Sequence, residues 1–404
     1  MRILFVDEFF PPARCGGAEI AAKEIAAGIG RNHEVVVFTP SYGQSVGSHD
    51  AENFTIFRYR NRFNPDESII QQKLLFFIEM MKSLDKFVRV FKPEILHAQN
   101  ALSVPPVAKV AGKHRIVGVA HVRDHRFECF TSRVACLSHH DATPFEFARC
   151  VENPLHVLSF PYAKLITHTV RRAIEKCGKA FTVSTYLRDE LLRSTTTEVR
   201  VSYDGVDLQN VDRIQAAGEI GRCHFDPQKR IIYAGGSRKS KGVLELLKGF
   251  LDVSKKMKDA SLWIAGNGPD RKDVQRFVKA NGLGDNVAFF GPLSHDAMIS
   301  AIKASRVVAV PSLMPEAGSR IVMEALACGK PVLASNRGAN PEMVGAAGIT
   351  FAPTAHNIAR AILDLLDDQD RLEKLSALAK ERSSRFSLSA TCSQITQAYE
   401  EWLR

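Results

Sequence analysis

The sequence predicts an α/β protein built of two doubly wound, parallel-sheet domains, and three observations predict it. Apolar runs rich in Val, Ile and Phe alternate with helix-period segments along nearly the whole chain, the pattern of parallel sheets covered by helices on both faces. The chain has 404 residues, at least twice the length of a usual domain of roughly 100–200. The alternation breaks at a turn-rich Tyr203-Asp204-Gly205-Val206-Asp207, followed by a polar stretch before the next buried strand at Ile231. The expected division is therefore 1–204, 205–385 and a closing segment 386–404.

Taken in chain order, the first domain opens with a strand at Arg2–Val6, where Ile3-Leu4-Phe5-Val6 is a short run of branched and aromatic side chains suited to a buried pleat. A helix over Ala18–Ile29 follows. Further strands are expected at His33–Thr39, Phe54–Tyr59, Glu94–Ala98, Arg115–Ala120 and Lys179–Ser184. Between Gln71 and Phe91 apolar residues recur at 74, 77, 78, 81, 84, 88 and 91, a helical stripe widened by Leu75, Phe76 and Met80. Such a stripe is ordinarily a core helix. The alternative is a helix seated on a membrane surface, helped by Lys73, Lys82, Lys86, Arg89 and the nearby Phe57-Arg58-Tyr59-Arg60-Asn61-Arg62-Phe63. The second domain carries strands at Arg230–Ala234, Ser261–Ala265, Asn286–Phe290, Arg306–Val310, Pro331–Ala334 and Ile349–Phe351. No short tandem repeat or low-complexity segment interrupts this order. Two such Rossmann-like units create a cleft at the carboxyl ends of their strands, so function is to be sought in the loops after strands.

Composition narrows the class. A chain that is 45% hydrophobic and 24% charged is that of a globular protein. Its apolar runs are far shorter than the roughly 18 residues that cross a bilayer, and Met1-Arg2 leads into a strand instead of an export signal. Eight dispersed cysteines fit reduced thiols in the cytoplasm better than a disulfide framework. Lys plus Arg number 54 against 44 Asp plus Glu, a net charge of +10. Residues 58–133 hold 14 basic and 7 acidic side chains, whereas residues 1–57 hold 4 and 7. A basic face on the first domain would suit nucleic acid, anionic lipid or a phosphorylated substrate.

Four loops carry candidate chemistry. After Arg2–Val6 the chain reaches Gly16-Gly17-Ala18-Glu19 at a helix start, where bare amides and the helix dipole suit an anion. A tight turn explains the same glycines, and their spacing is not that of a dinucleotide fingerprint. Strand Arg230–Ala234 runs into Gly235-Gly236-Ser237-Arg238-Lys239-Ser240-Lys241-Gly242, which sets glycines and three cations at one strand-to-helix crossing. Such a loop fits a diphosphate, with Lys241 and Arg238 as its charges, or is a solvated basic turn. It lacks the Walker spacing. Strand Ser261–Ala265 ends in Gly266-Asn267-Gly268-Pro269. Finally, Glu316-Ala317-Gly318-Ser319-Arg320-Ile321-Val322-Met323-Glu324 sets two glutamates eight residues apart. If a helix begins near Ala317, the amides of Ala317, Gly318 and Ser319 are open to an anion, and both carboxylates lie near one face. Glu316 would accept a hydrogen bond from a sugar hydroxyl and Glu324 from ribose. Glu324, set among apolar residues, would need a buried partner.

In these segments the chain resembles the retaining glycosyltransferases of family 4. The resemblance rests on Glu316 and Glu324 with the trailing Ala325-Leu326-Ala327-Cys328-Gly329-Lys330-Pro331, on Val310-Pro311-Ser312, Lys241-Gly242, Gly266-Asn267-Gly268-Pro269 and Gly16-Gly17-Ala18-Glu19. It extends along the whole chain and is densest over 231–345. It implies the GT-B fold, a first domain on the acceptor side, a second that binds the nucleotide sugar, and a closing helix in 386–404 that returns to the first. It implies that Glu316 contacts the transferred sugar, Glu324 binds ribose and Lys241 neutralises the diphosphate. The family's arginine five residues before that lysine is here Gly236, and Arg238 is the candidate substitute. His121, at the end of its strand, resembles a histidine near the reacting carbon, while His97 is expected to be structural. Asp204-Gly205-Val206-Asp207 resembles the family's interdomain turn.

The expected activity is transfer of a sugar from a nucleotide diphosphate sugar, of UDP or GDP type, to the hydroxyl of a glycan, lipid-linked or small-molecule acceptor, with retention of configuration. The expected setting is cell-surface glycan or glycolipid synthesis in the cytoplasm or at the inner face of the membrane. No cofactor or metal is expected, because no Asp-x-Asp suited to a catalytic metal is found. Zinc at Cys129, Cys136, Cys150, His139 and His140 is disfavoured by their spacing. The rival classes are a GT-B epimerase or phosphorylase and a basic nucleic-acid-binding protein, the latter without a supporting motif.

Overall fold

The computed structural model describes residues 1–13, 16–63, 71–129, 160–216 and 227–404. The chain falls into two compact units, Met1–Gly205 with Leu388–Arg404, and Val206–Ser387. Each is an α/β unit on a parallel sheet, as the apolar alternation predicts.

The first unit is built on eight strands: β1 Arg2–Val6, β2 Glu34–Pro40, β3 Gly47–Ala51, β4 Phe54–Tyr59, β5 Ile95–Ala98, β6 Val117–Val122, β7 Lys179–Thr182 and β8 Glu198–Val201. Their order is β3-β4-β2-β1-β5-β6-β7-β8, parallel throughout except for β3, which runs antiparallel to β4 at one edge. Expected strand bounds agree to within two residues. Sequence reasoning omitted β3 and β8, the two edges: β3 is the polar Gly-Ser-His-Asp-Ala, and β8 buries none of its four residues completely. Edge strands face solvent on one side and so lack the continuous apolar run of a central strand. On one face of the sheet the helix Gly17–Gly30 packs beside the C-terminal helix Leu388–Leu403, and Ile3, Phe5, Ile25, Val37, Ile395 and Tyr399 share one core.

The helix Gln71–Phe91 forms as expected, but its buried side differs from the stripe read in the sequence. Phe76, Phe77, Met80, Leu84 and Val88 are buried, while Leu75 and Ile78 are 43% and 44% exposed. The apolar arc is wider than the contact it makes, so periodicity alone does not fix which edge of it turns inward. It is a core helix with a mixed outer face.

The second unit holds β9 Arg230–Ala234, β10 Ser261–Ala265, β11 Val287–Gly291, β12 Val307–Val310, β13 Val332–Ser335 and β14 Gly348–Phe351. All are parallel, in the order β11-β10-β9-β12-β13-β14. The order reverses between β9 and β12, and an open sheet of this kind offers its ligand crevice outside the carboxyl ends of such neighbours. Helices Val243–Lys256 and Ala355–Leu366 pack together over one face, burying Leu246, Phe250, Ile358 and Ile362 against Leu262, Ile264 and Leu333. Ser294 and Thr354 start their helices by accepting hydrogen bonds from Ala297 and Asn357. Among the described residues no helix is long and apolar enough to cross a membrane.

Candidate functional site

The carboxyl edge of the second sheet brings three of the candidate loops together. The turns after β9 and β10 touch backbone to backbone: an added Cβ on Gly236 would stand 2.6 Å from the Asn267 carbonyl oxygen, and one on Gly266 3.0 Å from Gly236. Gly236 and Gly266 also take φ of +68° and +103°, which disfavours any side chain. The glycines read as ligand contacts are thus first of all what lets these turns pack. Gly242, at φ +76°, opens the helix Val243–Lys256 against Pro311 at the end of β12, and the amide of Leu313 donates to the Ser240 carbonyl at 3.0 Å. In this way the basic loop is pinned to the strand that leads to Glu316.

Lys241 and Glu316 meet there. Lys241 Nζ donates to both carboxylate oxygens of Glu316, at 2.8 and 2.9 Å, and the Ser312 hydroxyl donates to Oε1. The Glu316 side chain is 9% exposed and that of Lys241 31%. Two of the three ammonium donors are spent on the carboxylate, so one remains for another anion. Of the other cations in the loop, Arg238 is exposed, and Lys239 turns to Asp273 at 3.1 Å. Behind the pair lies Tyr233, whose hydroxyl donates to the Gly236 carbonyl at 2.8 Å. Burial, then the negative charge of Glu316, push that phenol well above its ordinary range.

The segment after Glu316 departs from expectation. The helix begins at Arg320, with Ser319 as its cap, not near Ala317. Residues 316–319 are instead held as backbone: Glu316 pairs with Gly338, its carbonyl accepts from the Ala339 amide at 2.8 Å, and the Ser319 amide points to Met343 Sδ at 3.0 Å. Extended pairing competes with helix at these residues and wins because Gly338 lets the two backbones touch. The Ser319 amide is therefore not open to an anion. Glu316 and Glu324 also do not share a helix face, since Glu316 precedes the helix.

Glu324 is 5% exposed and has the buried partners its surroundings require. Arg320 Nε donates to its Oε1 at 2.7 Å, and His295 Nε2 lies 3.0 Å from the same oxygen. Burial alone would raise this carboxyl, but the His295 hydrogen bond and the Arg320 charge outweigh it and hold Glu324 below the usual range. Sequence reasoning missed both partners. Arg320 was legible as the i, i+4 neighbour of Glu324 once the helix start is known. His295 is 29 residues away, at the first turn after β11, and no spacing rule finds it.

In the first unit two expectations are corrected. The Gly16 amide, at the start of the helix Gly17–Gly30, already donates to the Glu19 carboxylate at 2.9 Å, so the anion at that helix end is the protein's own. Asp7 and Glu8 are buried at the end of β1, and Asp7 is pushed up to about 8 by burial, then by the charges of Glu19 and Glu8. With Asp7 holding its proton and Glu8 paired with Arg126 at 2.7 Å, it is the Glu19 carboxylate that competes with a diphosphate for the Gly16 amide. His121 lies inside β6 instead of at its end, and its ring is 0% exposed, stacked on His97 with centroids 5.3 Å apart and flanked by Phe181. Burial, then the Arg123 charge, depress it well below the ordinary histidine range. Enclosed in the core, its ring presents no exposed surface to a ligand in this conformation. His97 accompanies it, against the Tyr399 hydroxyl. Of the cysteine and histidine cluster only Cys129 falls within the described residues, and those residues hold no group of three or more metal-ligating side chains.

Comparison with known proteins places this geometry in a family. Residues 15–210 match the family model for Glycosyltransferase Family 4, and residues 223–382 that for Glycosyl transferases group 1. The chain is 27% identical over 241 residues to the alpha-D-kanosaminyltransferase of Streptomyces kanamyceticus, a match over 57% of this chain and 62% of that protein, less than two thirds of its length. Among solved structures, the sucrose-phosphate synthase from Thermosynechococcus elongatus superposes with a TM-score of 0.76 at 17% identity, over 100% of this chain and 99% of that one. Anabaena HepE in complex with UDP-glucose superposes with a TM-score of 0.71 at 17% identity, over 99% of each chain. The two family models divide close to where the two parallel-sheet units do, and the chain belongs to glycosyltransferase family 4 with the GT-B fold.

Proposed function

We propose that this protein transfers a hexosyl group from a nucleotide diphosphate sugar, of UDP or GDP type, to an acceptor hydroxyl with retention of configuration, in the synthesis of a glycan or glycolipid. The observation that carries it is the Lys241–Glu316 ion pair at the carboxyl edge of the second sheet, with Glu324 held ionised nearby in sequence. A sugar hydroxyl donates to Glu316, which has one lone-pair site left after Lys241 and Ser312. The last Lys241 donor and the exposed Arg238 face the diphosphate. Charge compensation for the departing diphosphate then comes from side chains, and no metal is required. The bond from the anomeric carbon to the diphosphate breaks as the acceptor oxygen bonds to the same face, and the acceptor proton passes to a diphosphate oxygen. HepE, solved with UDP-glucose on this fold, makes a UDP-sugar the first donor to test.

The acceptor is a glycan, lipid-linked or small hydroxyl compound. The outer face of the helix Gln71–Phe91, with Leu75, Ile78, Lys82 and Lys86 exposed, suits peripheral contact with an anionic membrane.

The test is a panel of UDP-, GDP- and ADP-sugars assayed for donor consumption with and without acceptors. Lys241→Ala and Glu316→Ala are each expected to lower turnover by about tenfold or more. Near-normal rates in both variants would refute the site, and conversion of the donor to an isomeric nucleotide sugar without any acceptor, read by product analysis, would make the enzyme an epimerase instead.

A further inference from the structure

We infer that His295 and Arg320 act together as a clamp that turns one oxygen of Glu324 toward the donor's ribose, with His295 a positioning residue for donor affinity, on the reading that the donor is a nucleotide sugar. Arg320 Nε and His295 Nε2 both sit on Oε1 of Glu324, at 2.7 and 3.0 Å. Oε2 accepts no hydrogen bond from the described residues, yet it is not among the wholly enclosed polar atoms left without a partner. A carboxylate so held is oriented: one oxygen is occupied twice, and the other is an open acceptor for a hydroxyl pair. A glutamate side chain has several rotatable bonds, and a ligand that needs one rotamer binds more weakly when the rotamer is not fixed in advance.

The two donors come from different places, which is what makes the clamp rigid. Arg320 stands one turn before Glu324 on the same helix, 9% exposed against 6% for the glutamate. His295 is brought in by the loop after β11, where Ser294 caps the helix His295–Lys303 by accepting from Ala297. Its side chain is 24% exposed, and its other ring nitrogen is 4.0 Å from Asp296. An arginine alone would leave the carboxylate free to swing about the shared helix; a second donor from another element removes that freedom.

The experiment compares wild type with His295→Leu, which deletes the donor, and His295→Gln, whose amide nitrogen can stand near the position of Nε2. Dissociation constants for UDP, GDP and ADP are measured by calorimetry, each beside its 2′,3′-dideoxy counterpart. For the diphosphate that wild type binds, His295→Leu is expected to weaken binding about tenfold and His295→Gln no more than about twofold, as loss and retention of one hydrogen bond to a charged group predict. On the dideoxy compound wild type and His295→Leu bind alike. In turnover, donor KM rises with kcat held within about threefold, the sign of a lost ground-state contact. Equal affinity of wild type and His295→Leu for the ribonucleotide overturns the clamp, as does an equal loss on the dideoxy compound. Should His295→Leu fail to fold, Arg320→Met bears the same comparison with the same expected and overturning results. If wild type binds none of the three diphosphates, the donor reading itself falls, a distinct outcome from a clamp that fails on a protein that binds.

Discussion

Gly242 shows how a single residue couples the fold to the candidate site. It holds φ +76° directly after Lys241 and lies where an added methyl group would run into the Pro311 carbonyl. Left-handed backbone costs a side-chain-bearing residue about 1–2 kcal/mol, and the clash adds to it because Pro311 is backbone fixed at the end of β12. Gly242→Ala is therefore expected to lower the urea midpoint of the second unit with an unchanged m-value, a loss of more than about 1 kcal/mol. It should also reduce turnover, since the loop moves with Lys241 on it. An unchanged midpoint would mean that the loop is free to shift. Lys241→Ala differs in kind: it leaves the Glu316 carboxylate, 9% exposed, with Ser312 as its remaining side-chain hydrogen-bond donor among the described residues, so part of its effect is an unpaired buried charge. Glu316→Gln with Lys241 kept separates the two, because it removes the charge and keeps the shape.

At the scale of elements, the first sheet carries buried titratable groups whose effects oppose one another. His97 and His121 sit on neighbouring strands, both fully buried and both depressed well below the ordinary value by burial, then by Arg123. They are neutral when folded and protonate near pH 6.5 when unfolded, so the stability they represent is full above about pH 6.5 and is lost as pH falls, by up to about 1.4 kcal/mol per pH unit each. Asp7 acts the other way. Its folded value near 8 means that the folded chain keeps a proton that the unfolded chain has shed, so stability declines as pH rises from about 4 to 8. Glu8, also raised by burial and lowered again by Arg126, adds to that decline. The sum predicts a maximum near pH 6.5 for the unit Met1–Gly205. Denaturation across pH 5–8 checks it: Asp7→Asn should reduce the fall above 6.5 and steepen the rise below it, since Asp7 opposes the histidines across that whole range, and a flat profile in wild type would contradict the assignment. These elements also show what a sequence can and cannot reveal. Central strands such as Arg2–Val6, Arg230–Ala234 and Ser261–Ala265 were legible to the residue because burial on both faces leaves an unbroken apolar run. The edges β3 and β8 were not. Lys241 and Glu316 were legible as candidates, but their contact was not, since it depends on the Ser240–Leu313 and Glu316–Gly338 pairings between distant loops. The helix start was misplaced for the same reason.

At the scale of the whole molecule, the net charge of +10 is concentrated in residues 58–133, and the structure shows where part of it emerges. The helix Gln71–Phe91 turns Leu75, Ile78, Lys82, Lys86, Arg89 and Val90 outward. Arg89 and Lys113 are engaged by Asp85, at 3.0 and 2.8 Å, so, among the described residues, Lys82 and Lys86 are the cations of that face whose charge is least compensated. Each basic side chain near an anionic surface contributes about 1 kcal/mol, an attraction that is screened within a Debye length. Two lysines with three flanking aliphatic side chains make weak, salt-sensitive adhesion and not insertion. Vesicles containing phosphatidylserine should therefore sediment the protein at low ionic strength, vesicles of phosphatidylcholine alone should not, and about 0.5 M salt should release it. The double substitution Lys82→Glu with Lys86→Glu reverses four charges' worth of that attraction without touching Phe76, Met80 or Leu84, so it should abolish sedimentation while leaving the melting temperature and the turnover of a soluble acceptor as in wild type. Equal sedimentation by both kinds of vesicle, or by wild type and the double variant, would remove the membrane from the account and leave the basic stretch as a solvated surface.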